Sequence, residues 1–218
     1  MRPLHLFILI LCLCTLLAGC GKPPKPTVNL YRAVHVGDLD QIKRHLFWGT
    51  EVNQPGPDGD FPLHVAVHQG RVAIARELLQ HGAQTDVRDA IGRTPLHVAL
   101  ASGKIPSARL LLNGGADDDL QALLFALVQT QSADRDTIEF LIQNGVNLDT
   151  IGPDGMAALH LAVASGAVQL AKRLITDGAD VNSIDTTGNT PLSIAQTLSD
   201  PTRAAIMTEL LQQFGATK

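Results

Sequence analysis

The sequence predicts an all-α solenoid of about six helix-turn-helix repeats with short β-hairpin fingers between them. The first observation is a tetrapeptide that recurs at spacings of 33, 63 and 33 residues: Phe61-Pro62-Leu63-His64, Thr94-Pro95-Leu96-His97, Ala157-Ala158-Leu159-His160 and Thr190-Pro191-Leu192-Ser193. The second is an alanine three positions after each of these leucines, at Ala66, Ala99, Ala162 and Ala195. The third is composition: 45% of residues are hydrophobic but only 4% are aromatic, which favours helical repeats packed through aliphatic side chains.

The tetrapeptide itself predicts the start of a helix. A threonine such as Thr94 can cap the helix, and Pro95 can take the first position, where no backbone donor is needed. Leu96 and Ala99 then face inward, one turn apart. A period of 33 residues with this tetrapeptide resembles the ankyrin repeat. The resemblance implies that the repeats stack, because no single repeat can bury its apolar face alone.

Repeats one to three follow this plan over about residues 28–59, 60–92 and 93–119. Repeat one keeps the phase through Leu30 and Ala33 without the tetrapeptide, and Trp48 is expected to shield its outer face. Repeat two predicts helices over 62–69 and 72–81, with a finger near 86–92. Repeat three predicts helices over 95–102 and 105–113.

Repeat four, near residues 120–155, departs from the period. Its inward leucine is Leu123, which lies 27 residues after Leu96 and 36 residues before Leu159. The first spacing is six residues shorter than the 33-residue period, which predicts a missing finger after Gly115. The second spacing is three residues longer than the period, and the extra residues fall within 130–136, where the usual turn glycine is absent. We therefore expect a notch in the row of fingers and a bulge at this helix turn.

Repeats five and six, near residues 156–188 and 189–218, return to the plan. Repeat five keeps its turn glycine, Gly166, and its packed pair Leu174 and Ile175. Repeat six has a longer turn and carries Ser193 in place of histidine, as a terminal capping repeat tolerates.

The first 19 residues are predicted to be a targeting signal rather than part of the fold. Arg2 precedes an apolar run over residues 4–17, too short for a membrane span of about 20 residues, and this pattern predicts a secretory signal. Its end, Leu17-Ala18-Gly19-Cys20, resembles the lipobox of bacterial lipoproteins, which implies cleavage before Cys20 and lipidation of that cysteine. The alternative is an ordinary signal or a short anchor in which Cys20 is incidental.

Residues 20–27 are expected to form the lipidated anchor and a short Pro-rich tether. Several acyl chains hold a protein firmly, and a Pro-rich segment is extended and semi-rigid, so the tether should lift the fold off the membrane. Gly21 and Lys22 follow the cysteine instead of the aspartate that marks inner-membrane retention in the enteric-type pattern. The resemblance therefore implies a bacterial envelope location, on the outer membrane facing the periplasm where the host has two membranes.

Two clusters invite a metal interpretation. His64 and His68 lie four apart on one helix, with His97 one repeat away, a spacing that zinc can use. His64 and His97 also fill the last tetrapeptide position, however, and in ankyrin repeats that histidine bonds to the threonine and neighbouring loops, so we favour a structural role. The run Asp117-Asp118-Asp119 lacks the alternating frame of a calcium loop, and acids before a helix favour its positive end.

Composition and motifs exclude several function classes. A net charge of −4 argues against nucleic-acid binding. Cys12, Cys14 and Cys20 are the only cysteines, so the repeats hold no disulfide or cysteine metal site. The sequence has no nucleophile elbow and no phosphate-binding glycine loop. We therefore predict a monomeric protein that is not an enzyme and has no cofactor, metal or nucleic-acid partner.

The family resemblance also implies a binding surface, since ankyrin stacks bind proteins through finger tips and the inner face of the first helices. The finger positions are Pro57, Asp58, Asp60, Ala90, Ile91, Arg93, Pro153, Asp154, Met156, Thr186, Thr187 and Asn189. The inner-helix positions are His68, Gln69, Ala101, Ser102, Ala164 and Ser165. The apolar residues Ile91, Ile151, Met156 and Ile184 either meet an unidentified protein partner or pack between neighbouring fingers.

Two functions remain open at this point. The first is a lipid-anchored scaffold that binds a protein at the envelope through its concave face, without catalysis. The second is an immunity-type inhibitor of a toxin enzyme, such as a phospholipase, entering the envelope. A third possibility, a metal-dependent enzyme using His64 and His68, requires metal in the purified protein.

Overall fold

The structure of this protein, a computed structural model, describes residues 21–217. These residues form twelve α-helices and no β-strand. None of the helices in this part of the chain is both long enough and apolar enough to cross a membrane. The predicted signal peptide and Cys20 lie outside the described residues.

The twelve helices form six antiparallel pairs, one per repeat, and those of repeats two and three agree with the predicted bounds to within one residue. In chain order the pairs are α1 (Leu30–Val36) with α2 (Leu39–Phe47), α3 (Pro62–His68) with α4 (Val72–Gln80), α5 (Pro95–Ala101) with α6 (Ile105–Asn113), α7 (Leu120–Gln129) with α8 (Arg135–Gln143), α9 (Ala158–Ala164) with α10 (Val168–Thr176), and α11 (Pro191–Gln196) with α12 (Pro201–Gln213).

The helix starts follow the predicted capping chemistry where threonine is present. The Thr94 and Thr190 hydroxyls each accept a hydrogen bond from the backbone N–H three residues on, at 3.2 Å. Prolines occupy the first position of α3, α5 and α11. α3 and α9 begin without a side-chain cap, at Phe61 and Ala157. Packing, rather than capping, therefore stabilises these two helix starts.

The first helix of each repeat contacts the first helix of the next, from α1 through to α11. The five inward leucines of repeats two to six are all buried in one continuous apolar core: Leu63, Leu96, Leu123, Leu159 and Leu192. The solenoid prediction is thus confirmed, because these leucines share one environment despite their distance along the chain.

The connections that were predicted as β-hairpin fingers are tight turns rather than paired strands. We name them finger A (residues 56–60), finger B (89–93), finger C (152–156) and finger D (185–189). In each, the first residue donates its N–H to the carbonyl of the fifth at 2.8–2.9 Å, and the fourth residue donates back to the first at 2.9–3.1 Å. Two bonds close each turn, and no strand continues from it.

Repeat four shows both predicted irregularities. Residues 116–119 lead directly from α6 to α7 without a finger, which leaves a notch between fingers B and C. The longer turn between α7 and α8 uses Gln131 where repeats one, two, three and five use glycine. Gln131 has a φ of 53°, the only left-handed backbone found outside glycine in residues 21–217.

The Pro-rich tether contacts the first repeat. The Trp48 indole Nε1–H donates to the Pro23 carbonyl at 3.1 Å, and the Thr27 N–H donates to Gln41 Oε1 at 2.9 Å. The Lys22 and Lys25 ammonium groups lie 5.8 and 5.9 Å from the Trp48 ring centroid, within cation–π range. Trp48 therefore meets the tether as well as the outer end of repeat one.

Candidate protein-binding surface

Fingers B and D are each organised by a buried aspartate at their first position. Asp89 accepts hydrogen bonds from the Ile91 and Arg93 N–H groups at 3.1 and 2.8 Å, and from Arg93 Nε at 2.8 Å. Burial of Asp89 opposes ionisation, but the hydrogen bonds from Arg93 and Ile91 outweigh it, and the pKa of this carboxyl is lowered. The ionised aspartate thus fixes the tip of finger B.

Asp185 fixes the tip of finger D in the same way, but all of its hydrogen-bond donors are uncharged. It accepts from the Thr187 hydroxyl at 2.7 Å, from the Thr187 and Asn189 N–H groups at 2.8 Å, and from the Asn189 amide at 3.3 Å. The Thr187 hydroxyl, followed by the Asn189 and Thr187 backbone, lowers the pKa of Asp185 to about 2 despite burial. Arg93, Thr187 and Asn189, all predicted binding residues, therefore also shape the fingers.

Fingers A and C use a different device, a glycine resting on an aromatic ring. Both begin with the sequence Gly-Pro-Asp-Gly. A Cβ placed on Gly56 would overlap the Tyr31 ring, and one on Gly152 would lie 2.9 Å from the Phe125 ring. The ring comes from the first helix of the preceding repeat in both cases. Only glycine allows the finger backbone to approach the helix this closely.

The fingers contact each other in two pairs, on either side of the notch. The Thr186 N–H of finger D donates to the Gly155 carbonyl of finger C at 2.9 Å. The Ala90 side chain of finger B lies against Gly59 of finger A. The predicted positions Ala90 and Thr186 therefore pack partly between fingers, yet both remain exposed.

The ends of the inner helices form the other half of the predicted surface. His68 Nδ1 and Ser102 Oγ lie 2.9 Å apart, a hydrogen bond between neighbouring repeats. Gln69 Nε2 donates to the His35 carbonyl at 3.4 Å. Ala164 and Ser165 are exposed, and Ala101 is half-buried. These residues follow one another along one side of the stack.

The structure keeps all eighteen predicted binding positions accessible. Twelve are exposed, six are half-buried, and none is buried. Five of them border a single hollow of about 200 Å³ between α1, α3 and finger A: Asp58, Asp60, His68, Gln69 and Arg93. Of the apolar positions, Ile91, Ile184 and Ile151 are 74%, 63% and 40% exposed, whereas Met156 is half-buried.

The tetrapeptide histidines bond to the following finger where one exists. His64 Nε2 donates to the Arg93 carbonyl at 2.9 Å, and His160 Nε2 lies 3.2 Å from the Asn189 carbonyl. His97 precedes the notch and makes no such side-chain bond within residues 21–217. Burial lowers the pKa of both His64 and His97, which favours the neutral ring. The expected bonds to a neighbouring loop are thus formed by His64 and His160, whereas the expected bond to a threonine is not, because Nδ1 of each ring has no partner within residues 21–217.

In the acidic run before α7, Asp119 has the predicted capping role. Asp119 accepts from the Gln121 and Ala122 N–H groups at 2.9 and 3.0 Å, and Asp118 accepts from the Thr94 hydroxyl at 2.6 Å. Within residues 21–217, no group of three or more His, Cys, Asp or Glu side chains is arranged to hold a metal ion.

Sequence reasoning missed the surface around α7. A hollow of about 550 Å³, which we call the α7 hollow, lies between α7 and residues 150–154. Phe125 and Gln129 border it, and Gln129 Nε2 donates to Asp154 Oδ2 at 2.8 Å. The inner-helix positions were located from the turn glycine, which repeat four lacks. Counting six residues from Leu123, as from Leu63 to Gln69, would have identified Gln129.

These features identify the class of protein to which the chain belongs. A stack of helix pairs that shares one core, with turns projecting from one side, is a repeat solenoid whose variable part is its surface. Family models described as ankyrin repeats match residues 30–122 and 124–217. The chain therefore belongs to the ankyrin-repeat family, whose fold is typically a non-catalytic scaffold for protein interactions.

Proteins similar to this chain come from mammals and from bacteria. A 56-residue segment, 26% of this chain, is 52% identical to mouse protein phosphatase 1 regulatory subunit 27 and spans only 36% of that protein. The human ASB11 ankyrin repeat domain, known from a crystal structure, is 29% identical in sequence to this chain. The two structures superpose with a TM-score of 0.66 over 87% of this chain and 85% of that one.

A third similar structure is a complex from Bdellovibrio bacteriovorus, a predatory endopeptidase with an immunity protein. The match covers 87% of this chain and 99% of that chain, with a TM-score of 0.62 and 22% identity. At this identity the similarity concerns the fold alone.

Proposed function

We propose that this protein is a lipid-anchored scaffold that binds a protein partner through its fingers and inner helices, without catalysis. The observation that carries the proposal is the separation of roles along each repeat. Apolar side chains of both helices are buried in the shared core, while finger tips and inner-helix ends remain accessible on the surface. Exposed apolar tips such as Ile91 are typical of contact surfaces.

The anchor in this proposal is the lipid on Cys20, and the location is a bacterial envelope, on the outer membrane facing the periplasm. The contacts of Pro23 and Thr27 with repeat one support a short connection between the anchor and the stack. A docked tether restricts how far the first repeat stands from the membrane, so the partner would be held close to the membrane as well.

The binding proposal is tested by capturing the partner with the membrane-anchored protein after cross-linking in the native host. Ile91→Glu and Ala164→Glu place a charge on the proposed surface. Ala73→Glu is the matched control, because Ala73 is exposed on the outer helix α4. We expect the two surface variants to lose a protein that the wild type and the control retain. Equal capture by all four proteins would contradict the proposal.

The lipid proposal has a separate test. Cys20→Ala should abolish acyl-chain labelling and membrane retention. Cys14→Ala, within the predicted signal peptide, should change neither. Unchanged fractionation of Cys20→Ala would show that the cysteine is not the anchor.

The second candidate function is inhibition of a toxin enzyme at the envelope. The Bdellovibrio complex, which contains an immunity protein, motivates this candidate, although its similarity to this chain concerns the fold alone. Inhibition requires the bound partner to lose activity, whereas scaffolding does not. Deleting the gene should cause self-intoxication if the protein is an inhibitor, and healthy deletion cells would leave scaffolding as the function.

A further inference from the structure

The α7 hollow is larger than its counterpart near the start of the stack. It measures about 550 Å³, against about 200 Å³ for the hollow between α1, α3 and finger A. The missing finger leaves the beginning of α7 uncovered, so that Asp119 and Ala122 are both exposed at its edge. A volume of this size lies within the range of about 300–1,000 Å³ that is typical of ligand sites.

The floor and one wall of the α7 hollow are apolar. Phe125, which is only 6% exposed, forms the floor together with Ala126, and Ala122 lies exposed at the edge. The backbone of finger C rests on the Phe125 ring at Gly152, and Ile151 beside it is 40% exposed. Covering this surface with an apolar side chain would remove it from water, which favours binding.

The rim of the α7 hollow is negatively charged and held in place. Asp119 stands at the start of α7, fixed by its two capping hydrogen bonds. Asp154 stands at the tip of finger C, fixed by Gln129 at 2.8 Å. The residues that line the hollow within the described chain include no lysine, arginine or histidine. This rim attracts positive charge and repels acidic segments.

We propose that the α7 hollow binds a segment of the partner protein in which an apolar side chain is flanked by lysine or arginine. The proposal rests on the scaffold function and specifies the chemistry that the partner presents. The apolar residue packs on the exposed side chains of Ala122 and Ile151 above Phe125, and its basic neighbours pair with Asp119 and Asp154. Both carboxylates are pre-positioned, so little side-chain freedom is lost when the pairs form.

The test uses a phage-displayed random peptide library selected against the full chain in detergent. The affinity of each selected peptide, made synthetically, is then measured for four variants. Ala122→Trp fills the hollow, and Asp154→Lys reverses the charge of its rim. Ala73→Trp on α4 and Glu139→Lys on α8 are the matched controls, because both residues are exposed on outer helices.

We expect the selected peptides to share an apolar residue between basic ones. Ala122→Trp and Asp154→Lys should each weaken their binding about tenfold or more, whereas the two controls should stay within about twofold of the wild type. Higher salt should also weaken binding to the wild type, because the rim acts through charge.

Acidic or uncharged selected peptides, or full affinity for Ala122→Trp, would overturn this inference, as would a selection that enriches no peptide. The cross-linked native partner separates this failure from failure of the scaffold function. Its loss from Ile91→Glu but not from Ala122→Trp would refute the α7 hollow and leave the scaffold intact. Failure of the wild type to capture any partner would refute both.

Discussion

Replacing Gln131 with glycine should stabilise the protein, because this residue holds a backbone conformation that suits glycine. Its φ of 53° is left-handed, which costs a residue with a Cβ about 1–2 kcal/mol. Glycine loses about 0.5–1 kcal/mol more chain entropy on folding. The Gln131 side chain is exposed and the N–H bond to the Val128 carbonyl at 3.0 Å survives the change. The net stabilisation should be about 0.5–1 kcal/mol.

Equilibrium urea unfolding, followed by far-ultraviolet circular dichroism, measures this difference. With an m-value of about 2 kcal/mol/M, the midpoint of Gln131→Gly should rise by about 0.2–0.5 M. Gly166→Gln is the reciprocal control, since Gly166 has a φ of 66° in the equivalent turn of repeat five, and its midpoint should fall. A lower midpoint for Gln131→Gly would refute the reasoning and show that the glutamine side chain contributes to the turn.

Three further predictions concern the core, the fingers and the tether. Leu96→Ala should lower the free energy of unfolding by about 2–5 kcal/mol, because the side chain is fully buried, and a urea-measured loss below about 1 kcal/mol would contradict the shared core. The lowered pKa of Asp185, about 2, means that its contribution to stability is present above pH 4 and is lost as the pH falls from about 4 to 2. Asp185→Asn should therefore flatten the dependence of the urea midpoint on pH in that window, and an unchanged slope would argue against the hydrogen-bonded carboxylate. Trp48 is the only tryptophan, so replacing Lys22 and Lys25 with serine should increase acrylamide quenching of its fluorescence, whereas unchanged quenching would show that the tether does not cover the ring.

The repeat architecture could be predicted from sequence because its determinants are local and repeated. Pro95, Leu96 and Ala99 set a helix start and an inward face within one turn, and the same pattern recurs in other repeats. The irregular spacings around Leu123 were also informative, since each repeat has a fixed place for its inward leucine. The spacing of the inward leucines alone therefore located both the notch and the bulge.

The features that sequence did not reveal depend on contacts between distant positions. Phe125 reaches Gly152 and Trp48 reaches Pro23 only after the chain has folded, and no periodic pattern marks either pair. The left-handed conformation of Gln131 is instead local: it closes the end of α7, where the Ser132 N–H donates to the Leu127 carbonyl at 2.9 Å, against the preference of a residue with a Cβ. The fingers were expected as β-hairpins, yet two backbone bonds suffice to close each turn.

Site-specific photo-cross-linking tests the central claim, that the partner docks on the fingers, most directly. A photoreactive amino acid replaces Ile91 at the tip of finger B, or Arg76, which is exposed on the outer helix α4. The account predicts that the Ile91 position cross-links to the captured partner while the Arg76 position does not. Cross-linking through Arg76 and not through Ile91 would contradict it.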